Sequence, residues 1–142
     1  MNNKIINTIR EIHKRYHKTS GTVSAHTRSA QKITKEWQEK ISDDKVKCEE
    51  SVSPNNNEKI DVIDYDNKIA YELKVSGKNT HHEFYKDIFK LIIFNEYSTE
   101  KILKLVFISE KPGIENLKKR IDNKLFDLIK QKHNLTVELI SI

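Results

Sequence analysis

Three charged residues near the middle of the chain have the types and spacing of a hydrolytic centre. Asp61 is followed, after ten intervening residues, by Glu72-Leu73-Lys74. Two carboxylates held close together repel each other unless a positive group lies between them. Mg²⁺ suits that place, because it takes oxygen ligands, keeps several waters and often binds one or two carboxylates together with a phosphate. Lys74 would orient or deprotonate an attacking water while the metal polarises the phosphoryl oxygen. The residues therefore predict a centre that cleaves phosphodiester bonds.

The same residues resemble the PD-(D/E)xK motif of restriction-endonuclease-like nucleases, with Ile60 in place of the usual proline before Asp61. The resemblance implies that Asp61, Glu72 and the backbone carbonyl of Leu73 hold Mg²⁺, for which Mn²⁺ can substitute. It also implies that Lys74 positions or activates the water. The alternative interpretation is a solvated sheet face on which these charges only form cross-strand ion pairs.

A β-hairpin is predicted to bring the charged residues together. Asp66-Asn67 is predicted to form its two-residue turn, because both residues tolerate the left-handed backbone that such a loop needs. In the resulting register Asp61 lies opposite Glu72, and Lys74 shares their face. The other face carries the apolar residues that follow the turn, namely Ile69, Tyr71, Leu73 and Val75. A slip of one residue would separate the two carboxylates.

The remaining hydrophobic pattern predicts helices and strands on both sides of this hairpin. Helices are expected over 3–18, 24–41, 81–97 and 114–133, and further strands over 46–52, 102–109 and 135–142. Without its leading helix the order is αβββαβαβ, which is similar to the core of restriction-endonuclease-like nucleases. We therefore expect an α/β fold with a mixed central sheet flanked by helices. The single domain would span 1–142, with an extra basic N-terminal helix over 1–20 and the core over 24–142.

Charged residues on the predicted helices supply further candidates. In the resembled family the first core helix often carries an acidic residue that reaches the metal, and Glu36 is the candidate for that role. The commoner situation for a helical glutamate is a solvated charge. The candidates for contact with nucleic-acid phosphates are Arg28, Lys32, Lys78, His81 and Lys86.

Composition limits the possible function classes. The chain has 142 residues, with 26 Lys and Arg against 21 Asp and Glu, so its net charge of +5 permits nucleic-acid binding. A lysine-rich composition equally reflects an AT-rich genome. Cys48 is the single cysteine, which excludes an intramolecular disulfide and a cysteine cluster for zinc. The longest apolar run, 91–94, is far too short to cross a membrane. With no signal peptide evident, a cytoplasmic location is expected.

Together these features predict a Mg²⁺-dependent DNA endonuclease that acts as a homodimer or higher homo-oligomer, because one site cuts one strand. A restriction or homing-like enzyme and a structure-selective enzyme, such as a junction resolvase, both remain open. The short chain slightly favours reading of DNA shape, because sequence readers usually carry base-contacting loops or an added domain. The alternative from another class is a non-catalytic nucleic-acid-binding or assembly module on the same fold.

Overall fold

The computed structural model describes residues 4–20, 27–76 and 78–142, together with all their side chains except those of 18–20, 27 and 28. In these residues five helices and five strands form an α/β fold. The helices are α1 (Lys4–Ser20), α2 (Thr27–Ile41), α3 (Thr80–Tyr97), α4 (Lys111–Arg120) and α5 (Lys124–His133). The strands are β1 (Val46–Ser51), β2 (Lys59–Asp64), β3 (Ile69–Lys74), β4 (Lys104–Ser109) and β5 (Thr136–Ser141).

The strands form one mixed sheet in the order β1-β2-β3-β4-β5. β1, β2 and β3 pair antiparallel, whereas β3, β4 and β5 pair parallel. Each parallel connection passes through helices, α3 before β4 and then α4 with α5 before β5. The carboxyl ends of β3, β4 and β5 therefore lie at one edge of the sheet. The predicted mixed sheet is confirmed, with an antiparallel hairpin followed by two crossover connections.

Two apolar clusters cover the two faces of the sheet. One cluster packs α1 and α2 on the sheet and includes Ile9, Trp37 and Tyr71. The other packs α3, α4 and α5 on the opposite face and includes Phe84 and Phe107. α1 supplies fully buried residues to the first of these clusters, so the N-terminal helix predicted in addition to the 24–142 core packs on the sheet beside α2. Among the described residues, no helix is long and apolar enough to cross a bilayer.

The register of the central hairpin is confirmed, but its turn differs from the prediction. Asp64 pairs with Ile69 and Val62 with Tyr71. The loop spans four residues, 65–68, rather than two. Its left-handed residue is Lys68, with φ 58°. The Asp64 carboxylate accepts hydrogen bonds from the loop at 3.2 and 2.8 Å, so this side chain closes the turn and the strands keep their alignment.

A kink in β1 changes which face its residues occupy. In a regular strand, Val46, Cys48, Glu50 and Val52 would share one face. Instead Val46 and Cys48 pack with the α1–α2 side, and Val52 packs with the α3 side. The backbone of Glu49 is left-handed, with φ 54°, and this residue separates the two halves. In β2 the same change of face occurs at Asp61, since Ile60 and Val62 belong to different clusters.

The helix predicted over 114–133 is two helices, and this prediction is wrong. α4 ends at Arg120; the next residue, Ile121, has an extended backbone with φ −81° and ψ 131°, and α5 begins at Lys124. The break shifts the helical phase, so Ile129 rather than Leu128 faces the core, and Leu128 is 52% exposed. On α3, Phe89 is 66% exposed because it lies outside the buried stripe.

Candidate functional site

The two predicted carboxylates lie where the regular pairing of β2 with β3 ends, beyond the Val62–Tyr71 pair. There each carboxylate bonds to the backbone of the opposite strand. Glu72 Oε1 accepts a hydrogen bond of 2.8 Å from Asp61 N, and Asp61 Oδ2 accepts one of 2.8 Å from Leu73 N. These reciprocal bonds fix the two carboxylates beside each other, as the predicted register requires.

Helix α3 adds a third carboxylate and an ammonium to this pair. Lys90 Nζ lies 2.5 Å from Glu72 Oε2 and 3.2 Å from Asp87 Oδ1. Glu72 and Asp87 are 2% and 8% exposed, and Lys90 lies between their carboxyl groups. We call Asp61, Glu72 and Asp87 the acidic cluster. It holds three carboxyl groups against the single ammonium of Lys90.

Burial and mutual repulsion raise the pKa values of the acidic cluster. Burial raises the pKa of Asp61 to about 6, although the hydrogen bond from Leu73 N opposes this. Burial also raises the pKa of Glu72, to which the charges of Asp61 and Asp87 add. Burial raises the pKa of Asp87 as well. Burial alone would lower the pKa of Lys90, but Glu72 and Asp87 raise it. When fully ionised, the cluster would carry more negative charge than Lys90 compensates, and either protons or a further cation would relieve it.

A cleft of about 760 Å³ lies between α2 and the ends of β2 and β3. Asp61, Leu73 and Lys74 line it from the sheet. Polar residues of α2 form the facing wall, namely Gln31, Thr34, Lys35 and Gln38. Gln38 Nε2 donates hydrogen bonds to Asp61 O at 3.0 Å and to Glu49 Oε2 at 2.9 Å. Helix α2 is thereby tied to the strand that carries Asp61.

The predicted catalytic residues are only partly brought together at this cleft. Asp61, Leu73 and Lys74 line it, whereas the Glu72 carboxylate contacts Lys90 on the α3 side. Lys74 Nζ lies 3.9 Å from Glu83 Oε1.

Glu36 is not brought to the cleft. Its carboxylate is hydrogen bonded and ion paired to Arg15 of α1, and it lies 3.3 Å from Lys40 Nζ. The hydrogen bond from Arg15 lowers the pKa of Glu36. Gln38, two residues further along α2, occupies the place expected for Glu36 because α2 turns that face toward β2.

The five candidates for nucleic-acid contact do not form one surface. Lys78 is exposed and lines the cleft. Lys32 is exposed on α2 but does not line the cleft. Arg28 belongs to α2, and its side chain lies outside the described part of the chain.

The other two candidates make contacts elsewhere. His81 lies 3.3 Å from Arg120 Nη1, and its ring centroid is 3.9 Å from that of His82. Partial desolvation, together with His82 and Arg120, lowers the pKa of His81. Lys86 Nζ lies 3.4 Å from Glu58 Oε2. Neither His81 nor Lys86 lines the cleft, whereas Lys35, which we did not predict as a nucleic-acid contact, does.

Asp87 and Lys90 are the site residues that sequence reasoning missed. In the sequence, Lys86, Asp87 and Lys90 form the polar line of the helix predicted over 81–97. One signal was present: Asp87 lies three residues after Phe84 and four before Leu91, and therefore within the buried stripe. A carboxylate at such a position needs a buried partner, and the ExK strand offered one.

A second group of ligand-type side chains lies apart from the acidic cluster. His13 and His17 of α1 approach Glu110, which follows β4 directly. Their ligand atoms all lie within 4.8 Å of one another.

Comparison with protein-family models, with curated proteins and with solved structures finds no match to this chain. What is shown is an α/β protein with a five-stranded mixed sheet in its described residues, a buried acidic cluster and a cleft beside it.

Proposed function

We propose that the protein is a Mg²⁺-dependent endonuclease that hydrolyses phosphodiester bonds of DNA. One observation carries the proposal: reciprocal backbone hydrogen bonds join Asp61 and Glu72, and Asp61 lines an open cleft. Raised pKa values support it, because carboxyl groups that lack a compensating cation are suited to bind one.

The donor set fits a hard divalent ion. Asp61, Glu72 and the backbone carbonyl of Leu73 would hold Mg²⁺, for which Mn²⁺ can substitute, because both prefer oxygen ligands. The metal would supply Lewis acidity to the phosphoryl group. Lys74, which lines the cleft beside Asp61, would hold the attacking water and steady the charge that develops on the phosphate.

The charges of the cleft support a polyanionic substrate. Lys35, Lys74 and Lys78 all line it, and such lysines contact phosphates regardless of base sequence. We propose reading of DNA shape ahead of base sequence, as for a structure-selective enzyme, with a restriction or homing-like enzyme as the other possibility. A homodimer would bring two such sites to the two strands.

The test is cleavage of a supercoiled plasmid and of a four-way junction with Mg²⁺, Mn²⁺ or EDTA. Wild type is compared with Lys74→Ala and Asp61→Ala, and Lys86→Ala is the matched control because Lys86 pairs with Glu58 outside the cleft. We expect metal-dependent cutting that falls at least about 100-fold in the first two variants and is unchanged in the control. Equal cutting by all four proteins would contradict the proposal.

A second candidate is a non-catalytic nucleic-acid-binding or assembly module on the same fold. The ion pair of Lys90 with Glu72 favours it, since a protein ammonium already lies 2.5 Å from the carboxylate that would bind metal. This candidate predicts DNA binding without cleavage on any substrate, and binding that neither Lys74→Ala nor Asp61→Ala alters.

A further inference from the structure

Two histidines of α1 meet a glutamate at the carboxyl end of β4. His13 and His17 lie one helical turn apart, so their rings project from the same side of the helix. Glu110 stands between the last residue of β4 and the first of α4. His13 Nε2 lies 2.8 Å from Glu110 Oε2, and His17 Nε2 lies 3.5 Å from the same oxygen. The two rings meet edge to face, with centroids 4.3 Å apart.

Two imidazoles and one carboxylate are a set of ligands that zinc takes in proteins, with a fourth position left for water or another ligand. At metal–ligand distances of 2.0–2.2 Å, tetrahedral geometry separates the ligand atoms by about 3.4 Å. The two separations from Glu110 Oε2, 2.8 and 3.5 Å, lie close to that value, and all three ligand atoms lie within 4.8 Å of one another. Small side-chain rotations would therefore complete the geometry.

Burial of the group suits a bound ion that exchanges with solvent from one side. His13 and Glu110 are 7% and 8% exposed. The His17 side chain is 41% exposed, which leaves a path to solvent. The imidazole ligands also set this group apart from the acidic cluster, whose oxygen-only donors favour Mg²⁺ over zinc.

We propose that His13, His17 and Glu110 form a zinc site that fastens α1 to the end of β4. The site joins positions 97 residues apart in the chain, so binding of the metal would restrain α1 against the sheet. This proposal does not depend on nuclease activity. The simpler interpretation is that His13 and Glu110 form a buried hydrogen-bonded pair, in which His17 would be dispensable.

The test is titration of metal-free protein with Zn²⁺, followed by calorimetry and thermal unfolding. We expect one zinc per chain and a rise of Tm by about 5 °C or more when free zinc is 100 times Kd. His17→Ala should weaken zinc binding by more than about 100-fold, because loss of even an outer partner costs 10–100-fold. His17 is the ligand chosen for substitution because its exposure lets the variant fold.

The matched control is His82→Ala, which removes an exposed histidine from the other histidine pair. It should bind zinc as wild type does. Equal binding by wild type and His17→Ala would overturn the proposal, as would loss of binding in His82→Ala. A wild-type Kd weaker than about 0.1 mM, at which micromolar free zinc would add almost no stability, would also overturn it and leave only the buried pair.

Discussion

The carboxyl group of Asp61 gains its proton at a higher pH in the folded protein than in the unfolded chain. Burial raises its pKa from 3.8 to about 6. Between these values the folded state binds more protons than the unfolded state, so stability falls as pH rises through this interval. Ionised Asp61 therefore destabilises the fold at neutral pH, as expected where a side chain is kept for binding rather than for packing.

Asp61→Asn should raise the free energy of unfolding at pH 7.5 by roughly 1–3 kcal/mol, since each pKa unit is worth about 1.4 kcal/mol. The amide oxygen can still accept the hydrogen bond from Leu73 N. At pH 4 the difference from wild type should vanish, because Asp61 is then protonated. Urea unfolding at both pH values measures this. Asp66→Asn in the exposed turn is the control, and a destabilised Asp61→Asn protein at pH 7.5 would refute the prediction.

Lys90 is the cation on which the acidic cluster depends. Lys90→Met keeps the length of the side chain but leaves Glu72 and Asp87 buried without their ammonium. We expect a loss of about 3–5 kcal/mol in the free energy of unfolding at pH 7.5. Lys86→Met removes a more exposed pair with Glu58 and should cost less than about 1 kcal/mol. Similar losses in the two variants, compared by urea unfolding, would show that Lys90 is not the main counter-charge.

At the scale of elements, α1 is a layer of the core. Ile9 is fully buried, and Trp37 Nε1 of α2 donates a 2.9 Å hydrogen bond to the carbonyl of Ile5 in α1. Ile9→Ala should lower the free energy of unfolding by about 2–5 kcal/mol, as expected for loss of a buried aliphatic side chain. Lys14→Ala, on the exposed side of the same helix, should change it by less than about 0.5 kcal/mol. Trp37 fluorescence during denaturation reports both. A small loss for Ile9→Ala would show that α1 packs only loosely.

The register of the hairpin could be predicted because it follows from alternation. Ile69, Tyr71 and Leu73 repeat at every second residue, and one buried face permits one alignment. The left-handed backbone of Glu49 and Lys68 could not be predicted, because neither residue type favours it. The surrounding strand pairing holds both residues in that conformation. Lys68 is the last residue of the hairpin loop, which has four residues rather than two.

The partners of the acidic cluster were harder to predict than the cluster itself. Asp61 and Glu72 lie on adjoining strands, so local pairing places them. Lys90 reaches Glu72 only because of the way in which α3 packs on the sheet, and local pairing does not determine that packing. The same reason explains why Gln38 contacts β2 and Glu36 does not. The sequence predicts the apolar stripe of α2, but packing against α1 decides which side of that stripe faces β2.

At the scale of the whole molecule, β3 is the boundary between two kinds of sheet. It pairs antiparallel with β2 and parallel with β4. Lys74 pairs with Ser109, and Glu110 follows Ser109 in the chain. The cleft and the proposed zinc site therefore lie along one edge of the sheet, where parallel strands end and ligands commonly bind. Net charge could not predict this placement, because it counts charges without locating them.

The contacts of α1 with the far end of the chain also bear on the order in which a ribosome completes the fold. Arg10 Nη2 donates a 3.2 Å hydrogen bond to Ser141 O, a partner 131 positions later. At synthesis rates of about 5–20 residues per second, that partner is made roughly 7–26 s after Arg10. Trp37 follows Ile5 by only 32 positions. A paired α1 and α2 can therefore form early and shield the apolar face of the nascent helix until the last strand leaves the exit tunnel.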